Sequence, residues 1–220
     1  MTNTSVPSII DNEVYNIYRE NLLSGNRVEC TRIVNDLIGK EVGILDLYIN
    51  LFQRSLYEVG SMWEMNQISV AVEHLATSIT SNLLNLIYPI LFNQEKTGQR
   101  VIVSCVANEY HQIGGRMVAD IFELHGWNSY FLGANMPNDH LLDYVQENKP
   151  DLIAISMAIF SNLPILEKML AALQNQFPKI NIVIGGQAFR WGGSEICQLY
   201  PNVKYLESLN SLRNFLEKVA

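Results

Sequence analysis

The chain has 220 residues, of which 48% are hydrophobic and 17% charged, with 15 basic and 22 acidic side chains. This composition excludes collagen-like, disulfide-scaffold and mostly disordered chains, and the length allows one or two domains with a buried core. The net charge of −7 argues against non-specific binding to phosphates, because affinity for nucleic acid comes largely from clustered Lys and Arg.

The first part of the chain has the periodicity of amphipathic helices. Apolar residues recur at i, i+3 and i+4, which places them on one face of a helix. Four segments have this pattern: 12–23, 28–38, 44–59 and 68–88. Four such helices with short connections predict a four-helix bundle over residues 1–92, followed by a short linker at 93–100.

From residue 100 onward, short apolar runs alternate with helical segments. The runs predict five strands, at 101–106, 128–132, 152–157, 181–184 and 203–206. Apolar strands that alternate with helices are typical of a parallel sheet covered on both faces. The chain is therefore expected to be α/β with an all-α N-terminal part, and residues 100–220 to form a five-stranded doubly wound (flavodoxin-like) domain. In this fold ligands bind beyond the carboxyl ends of the strands. Trp127 and Trp191 are expected to pack against the sheet.

The cysteines and the ends of the chain bear on its compartment. Cys30, Cys105 and Cys197 are scattered without paired spacing, which fits a reducing environment. The first residues contain no basic segment followed by an apolar one, so no signal peptide is expected. No apolar stretch approaches the roughly 20 residues of a membrane span. We therefore expect a cytoplasmic protein with no membrane partner.

The loop after the first predicted strand carries a histidine and a carboxylate two positions apart. His111 can bind a transition metal at the carboxyl edge of the sheet, and Glu109 can accept its other N–H. Such a carboxylate fixes the tautomer of a ligating imidazole. Gly114 and Gly115 allow a bulky ligand or a neighbouring element to approach the backbone closely. On position alone, a loop histidine with a capping glutamate is an equally good interpretation.

Two other features fall at the same edge of the predicted sheet. Gly185 and Gly186 follow the fourth strand and could leave the backbone open to a flat or extended ligand. A tight turn is the alternative interpretation. Ser156 ends the central strand, and by itself it is a strand-end hydroxyl without a function.

Together these residues resemble the cobalamin-binding domain. In that family a motif that is usually Asp-x-His-x-x-Gly precedes Ser-x-Leu and Gly-Gly, and its histidine is the lower axial ligand of cobalt. Here the acid is Glu109 and the Leu position is Ala158. The resemblance implies that His111 is the metal ligand and that the nucleotide tail enters the sheet edge. The other cofactor-binding residues that it implies in this domain are Glu109, Tyr110, Gln112, Ile113, Gly114, Ser156, Gly185 and Gly186.

The helical part contains a second motif, Trp63 followed after nine residues by Glu73 and His74. Val70, Glu73 and His74 share one face of the fourth predicted helix. An exposed polar face next to a core tryptophan is the simpler interpretation of these residues by themselves. However, Trp-x9-Glu-His resembles the cap over the upper face of adenosylcobalamin in light-sensing, cobalamin-dependent transcription regulators. The resemblance implies that Trp63, Val70, Glu73 and His74 bind the upper side of the cofactor.

The sequence departs from those regulators in two ways. They often have a histidine directly after the tryptophan, whereas this chain has Glu64. They also carry an N-terminal helix-turn-helix module, whereas this sequence starts with the bundle. We therefore expect no direct binding to nucleic acid, and a signal that passes through a homo-oligomer or a separate regulatory protein.

These observations predict a cobalamin-binding sensor, photoreceptor-like and linked to transcription regulation, rather than an enzyme. Adenosylcobalamin is the favoured cofactor. One alternative is a corrinoid methyl carrier of a methyltransferase system, which would bind methylcobalamin. Another is a sensor of the same fold that binds haem.

Overall fold

The computed structural model describes residues 10–92 and 94–219, and the chain divides after Ile90 into two compact units. Most of the amino-terminal segment that bears on a signal peptide therefore lies outside the described residues. Among the described residues, no helix combines the length and the apolar character that a membrane span requires.

The first unit consists of helices. Its elements are α1 (Asn12–Leu23), α2 (Arg27–Gly39), α3 (Ile44–Asp46), a π-helical segment (Leu47–Gln53), α4 (Arg54–Glu64) and α5 (Val70–Leu91). The four predicted helices are confirmed. The third is composite and runs five residues further than predicted, which places Trp63 in the last turn of α4.

The π-helical segment lies at the centre of this unit and was not predicted. Its buried residues form two pairs that are each four positions apart, Leu47 with Leu51 and Tyr48 with Phe52. An amphipathic α-helix has the same spacing of four positions, so the sequence pattern does not distinguish the π-helix from an α-helix here. Phe52 packs against Tyr18 of α1 and against Tyr48, each at 6.2 Å between ring centroids.

The second unit is a parallel sheet with helices. Its strands are β1 (Arg100–Cys105), β2 (Asn128–Phe131), β3 (Leu152–Ser156), β4 (Asn181–Gly185) and β5 (Val203–Tyr205). Its α-helices are α6 (Ile113–Leu124), α7 (Asn138–Asn148), α8 (Leu163–Gln176) and α9 (Leu209–Val219). The strand order is β2-β1-β3-β4-β5, and all neighbours are parallel. This is the flavodoxin-like order, so the predicted fold class is confirmed.

The register of the central strands aligns their carboxyl ends. Cys105 at the end of β1 pairs with Ser156 at the end of β3, and Ser156 pairs with Gly185 at the end of β4. The loops that follow these three strands therefore leave the sheet side by side. This alignment brings residues far apart in the sequence to one edge.

The connection from β4 to β5 differs from the sequence prediction. The helical segment expected between these strands consists of two 3₁₀ helices, Gln187–Trp191 and Ser194–Leu199. Trp127 is buried, and its ring lies 5.3 Å from that of Phe122 in α6, between ring centroids. The prediction that Trp191 packs against the sheet was wrong, since this side chain is 62% exposed. In the short 3₁₀ helix that Trp191 ends, Ala188 and Phe189 are the buried residues instead.

The polar stretch predicted as a linker is attached to the second unit. Thr97 donates its backbone N–H to the carbonyl of Gly126 at 2.9 Å, and Asn128 donates its N–H to the carbonyl of Gln99 at 2.8 Å. The Lys96 ammonium is paired with the Glu123 carboxylate. Residues 96–99 thus form an ordered lead into β1.

Candidate functional site

Glu109 and His111 form a hydrogen-bonded pair in the loop between β1 and α6. Glu109 Oε1 lies 2.6 Å from His111 Nδ1 and accepts the His111 backbone N–H at 3.0 Å. The Glu109 side chain is fully buried, whereas the His111 side chain is 54% exposed. With Nδ1 turned to the carboxylate, Nε2 is the nitrogen through which this imidazole can bind a metal.

The other oxygen of Glu109 is held by the segment that follows β3. Oε2 accepts the backbone N–H groups of Ala158 and Ile159, each at 2.9 Å, and the side-chain amide of Asn162 at 3.3 Å. Burial alone would raise the pKa of Glu109. The hydrogen bonds from His111, Ile159 and Ala158 outweigh that effect and lower the pKa to about 2. Glu109 is therefore an anion that orients the imidazole.

Two asparagines connect this loop to the loop after β2. Asn108 and Asn135 both have positive φ, at 63° and 51°. The Asn108 N–H donates to Asn135 Oδ1 at 2.8 Å, and the Asn135 N–H donates to the Glu109 carbonyl at 2.8 Å. Loops after three neighbouring strands thus converge on Glu109.

Large apolar side chains are exposed next to His111 in the sequence and in the loop after β3, at the same edge of the sheet. Tyr110, next to His111, is 68% exposed, and Ile159 and Phe160 in the loop after β3 are also exposed. Of the other predicted residues in this loop, Gln112 is the exposed N-cap of α6 and Ile113 is buried. An imidazole with its Nδ1 fixed, near exposed apolar groups, suits a flat macrocycle that carries a metal.

The glycines at this edge fall into two classes. A Cβ added to Gly114 would meet no atom within 4 Å, so the space above this residue is open. At Gly185 a Cβ would lie 2.8 Å from the Leu206 carbonyl oxygen. At Gly186, where φ is 120°, it would lie 2.2 Å from the Met157 carbonyl oxygen. Contacts within the chain therefore account for both glycines of this pair, as in the tight-turn interpretation.

Ser156 and Gly115 lie beneath this surface. Ser156 is partly buried, and a Cβ on Gly115 would lie 3.5 Å from Ser156 Cβ and 3.3 Å from Cys105 Sγ. Gly115 thus lets α6 pack closely on the ends of β1 and β3. Of the two glycines named from the sequence, Gly115 is therefore the one that a neighbouring element approaches closely.

The predicted upper set lies in the helical unit. Trp63 near the end of α4 and Val70 at the start of α5 are 46% and 49% exposed. His74 Nδ1 lies 2.5 Å from Glu73 Oε2, and the Thr77 hydroxyl donates to Glu73 Oε1 at 2.9 Å. The structure therefore gathers this set at the corner between two consecutive helices and leaves the tryptophan accessible. The interpretation of Trp63 as a core residue was wrong.

Sequence reasoning missed the partners of Glu109 in other loops. Ala158 entered only as a departure from the family motif, and neither Asn135 nor Asn162 was singled out. Within residues 10–92 and 94–219, no group of three or more His, Cys, Asp or Glu side chains is arranged to hold a metal ion.

Comparison with protein families identifies both units. Residues 99–207 match one model described as a B12 binding domain, and residues 14–88 match a second model with the same description. The chain belongs to the B12-binding domain proteins. The predicted family and the predicted cobalamin-type cofactor are therefore confirmed, and the two models together include every predicted site residue.

Two curated relatives of this B12-binding chain are repressors of Myxococcus xanthus. One, the HTH-type transcriptional repressor CarH, is 23% identical over 178 residues, which are 79% of this chain and 58% of the repressor. The other, the HTH-type transcriptional repressor CarA, is 29% identical over 191 residues, which are 84% of this chain and 61% of the repressor. The chain thus spans about three fifths of their length.

Solved structures share the fold. The monomethylamine corrinoid protein of Methanosarcina barkeri superposes with a TM-score of 0.81 at 16% identity, over 96% of this chain and 100% of that one. The methanol:cobalamin methyltransferase complex MtaBC from the same organism gives a TM-score of 0.51 at 15% identity, over 99% of this chain and 86% of that one. At this level of identity the likeness concerns the fold.

Proposed function

We propose that this B12-binding chain is a sensor that binds adenosylcobalamin, with His111 as the lower axial ligand of cobalt. The observation that carries the proposal is the Glu109–His111 pair, in which a fully buried carboxylate holds Nδ1 at 2.6 Å while the His111 side chain is 54% exposed. A carboxylate behind a ligating histidine fixes its tautomer and raises its basicity. The exposed side chains of Tyr110, Ile159 and Phe160 give an apolar contact surface for the ring.

The edge residues around His111 receive the rest of the cofactor. The neighbourhood of Gly114 is open. The nucleotide tail would enter there and would pass Ser156 and the Gly185–Gly186 turn. Gln112 and Ile113 complete the contact segment at the start of α6.

Trp63, Val70, Glu73 and His74 cover the upper side of the cofactor. Support comes from the exposure of Trp63 and Val70, because a large apolar side chain that is nearly half exposed gains free energy when a ligand covers it. Glu73 is tied to His74 and to Thr77, so its carboxylate has a fixed position next to Val70.

Bound adenosylcobalamin would supply a cobalt–carbon bond that light or chemistry can cleave. Trp63 would lose a packing partner if the upper group left, and the free energy of its burial would be lost. A ligand changes a conformational equilibrium only through such differential contacts. The signal therefore passes from Trp63 to an oligomer interface or to a regulatory protein.

The test uses purified chain loaded with adenosylcobalamin in the dark. We expect an absorption spectrum with a histidine-bound cobalt, a change of that spectrum on illumination, and a change of elution volume on size exclusion. Trp63→Ala, with the tryptophan truncated, should retain the change in spectrum and lose the change in elution. No change in either quantity on illumination would refute the sensing function.

A corrinoid methyl carrier is the second candidate. The Glu109–His111 pair suits it equally, and Glu64, an exposed carboxylate, follows Trp63 where the light-sensing regulators often have a histidine. Tighter binding of methylcobalamin than of adenosylcobalamin would favour the carrier, and tighter binding of adenosylcobalamin the sensor. A haem spectrum after reconstitution with haem and cobalamin together would contradict both.

A further inference from the structure

We propose that Trp191 contacts the edge of the corrin ring when cobalamin is bound. This inference rests on the proposed binding of the cofactor at His111. The Trp191 side chain is 62% exposed, compared with 46% for Trp63 and 3% for Trp127. A large apolar side chain at this exposure gains free energy when another surface covers it.

Buried neighbours fix the backbone that carries Trp191. Trp191 is the last residue of the 3₁₀ helix Gln187–Trp191, in which Phe189 is buried. The Phe189 ring lies 5.0 Å from the Tyr205 ring of β5, between ring centroids. The N–H of Gly192 donates to the Phe189 carbonyl at 3.2 Å. The indole is therefore exposed at the end of an anchored turn.

This turn lies beside the loop that follows β3. Ala188 donates its N–H to the Met157 carbonyl at 3.3 Å. A Cβ added to Gly193, two residues after Trp191, would lie 3.6 Å from Phe160 Cε2. The chain around Trp191 is therefore next to Phe160, at the carboxyl edge of the sheet.

Trp191 extends the apolar surface that the proposed function gives to the ring. Ile159 and Phe160 are 39% and 41% exposed, and they precede Trp191 along this edge. The N–H of Ile159 donates at 2.9 Å to Glu109 Oε2, and the other oxygen of Glu109 lies 2.6 Å from Nδ1 of His111. This apolar surface is thus continuous with the proposed cobalt ligand. A wide, flat macrocycle bound at His111 is the occupant that this continuity favours.

A contact with the ring edge has a signature of its own. All cobalamins share the same ring whatever their upper group, and cobinamide has the ring but lacks the nucleotide. Loss of a contact with the ring therefore weakens adenosylcobalamin, aquocobalamin and cobinamide by the same factor. Loss of a contact with the nucleotide spares cobinamide, and loss of a contact with the upper group affects adenosylcobalamin most.

The test measures the affinity of the full chain for these three corrinoids by absorption titration. We expect Trp191→Ala to weaken the binding of all three by about tenfold, the effect of uncovering on the order of 60 Å² of apolar surface. Trp191→Phe should weaken it less, because phenylalanine keeps an aromatic ring at this place. Without cofactor, both variants should unfold at the wild-type temperature, since substitutions at the surface cost little.

Leu199→Ala is the matched control. Leu199 is 72% exposed and ends the next 3₁₀ helix, Ser194–Leu199. That helix leads back to β5, whose first residue, Val203, pairs with Ile182 near the start of β4. The control thus removes an exposed apolar side chain from the same connection, on the way to the opposite edge of the sheet. We expect it to leave all three affinities unchanged.

A second readout reports the contact in the wild-type chain. Hydroxyl radicals oxidise exposed tryptophan side chains, and mass spectrometry locates the oxidised residues. We expect Trp191 to be oxidised in the cofactor-free protein and to be protected by cobinamide. Trp127, which is 3% exposed, is the internal reference and should react slowly in both states.

The outcomes distinguish the inference from the function on which it rests. If wild-type protein binds the corrinoids and Trp191→Ala binds them equally well, with Trp191 oxidised at the same rate in both states, the inference is refuted and the proposed function stands. A loss of affinity for the two cobalamins but not for cobinamide assigns Trp191 to the nucleotide and also refutes the ring contact. If wild-type protein binds none of the three, the proposed function fails together with the inference.

Discussion

Replacing Glu109 with glutamine is the sharpest perturbation of this site. Glutamine has the same size but only one accepting oxygen, and its –NH₂ group donates. With that oxygen in the place of Oε2, the donors of Ala158 and Ile159 remain paired. The –NH₂ group then faces His111, whose backbone N–H loses its acceptor and whose ring has to accept at Nδ1.

The expected cost follows from these contacts. A donor left unpaired in a buried place costs about 1–3 kcal/mol, and hydrogen bonds to a charged acceptor are worth about twice those to a neutral one. We therefore expect Glu109→Gln to lower the free energy of unfolding by about 3 kcal/mol. The ring that accepts at Nδ1 carries its hydrogen on Nε2, so affinity for cobalt should fall about 10–100-fold.

The assay combines urea unfolding of the cofactor-free protein with titration of aquocobalamin. Glu167→Gln removes the same charge from an exposed position on α8, and we expect it to change neither quantity. A Glu109→Gln protein that is as stable as wild type and binds cobalamin equally well would refute the reasoning.

Three further predictions concern other parts of the chain. Gly186→Ala should lower the free energy of unfolding by about 3 kcal/mol, because the new Cβ meets the Met157 carbonyl and φ is 120°; wild-type stability in thermal unfolding would contradict this. Burial raises the pKa of Cys30 to about 11, so a thiol reagent at pH 8 should label the partly exposed Cys197 before Cys30. Mass spectrometry gives the order of labelling, and the reverse order would be evidence against the packing of α2. Trp63→Ala should change the free energy of unfolding by less than about 1 kcal/mol, since substitutions at the surface cost little. It should weaken the binding of adenosylcobalamin more than that of aquocobalamin in calorimetric titration. Equal effects on both would show that Trp63 does not contact the upper side of the cofactor.

Most of the fold could be predicted from the sequence, because its signals are local. The apolar runs of β1, β3 and β4 are continuous, and the helical stripes have the correct period. The π-helical segment Leu47–Gln53 could not be predicted, since its buried residues have the same i, i+4 spacing as those of an amphipathic α-helix. The position of Trp191 depends on which residues a short 3₁₀ helix buries, which periodicity does not show.

The candidate site was predictable only where its residues are neighbours in the sequence. The spacing of Glu109 and His111 indicated their hydrogen bond, which the structure contains at 2.6 Å. Asn162 and Asn135 reach Glu109 through the aligned ends of parallel strands, and that register is a long-range property. The glycine pair after β4 suggested ligand binding from the sequence, but contacts within the chain are sufficient to explain both glycines.

The central claim is that the imidazole of His111 holds the cobalt. The most direct measurement is the electron paramagnetic resonance spectrum of cob(II)alamin bound to protein in which histidine alone is labelled with ¹⁵N. Our account predicts that the axial nitrogen splits each cobalt line into a doublet in wild type, and that His111→Ala loses this doublet. A triplet from the unlabelled base of the cofactor, or a doublet that persists in His111→Ala, would contradict it.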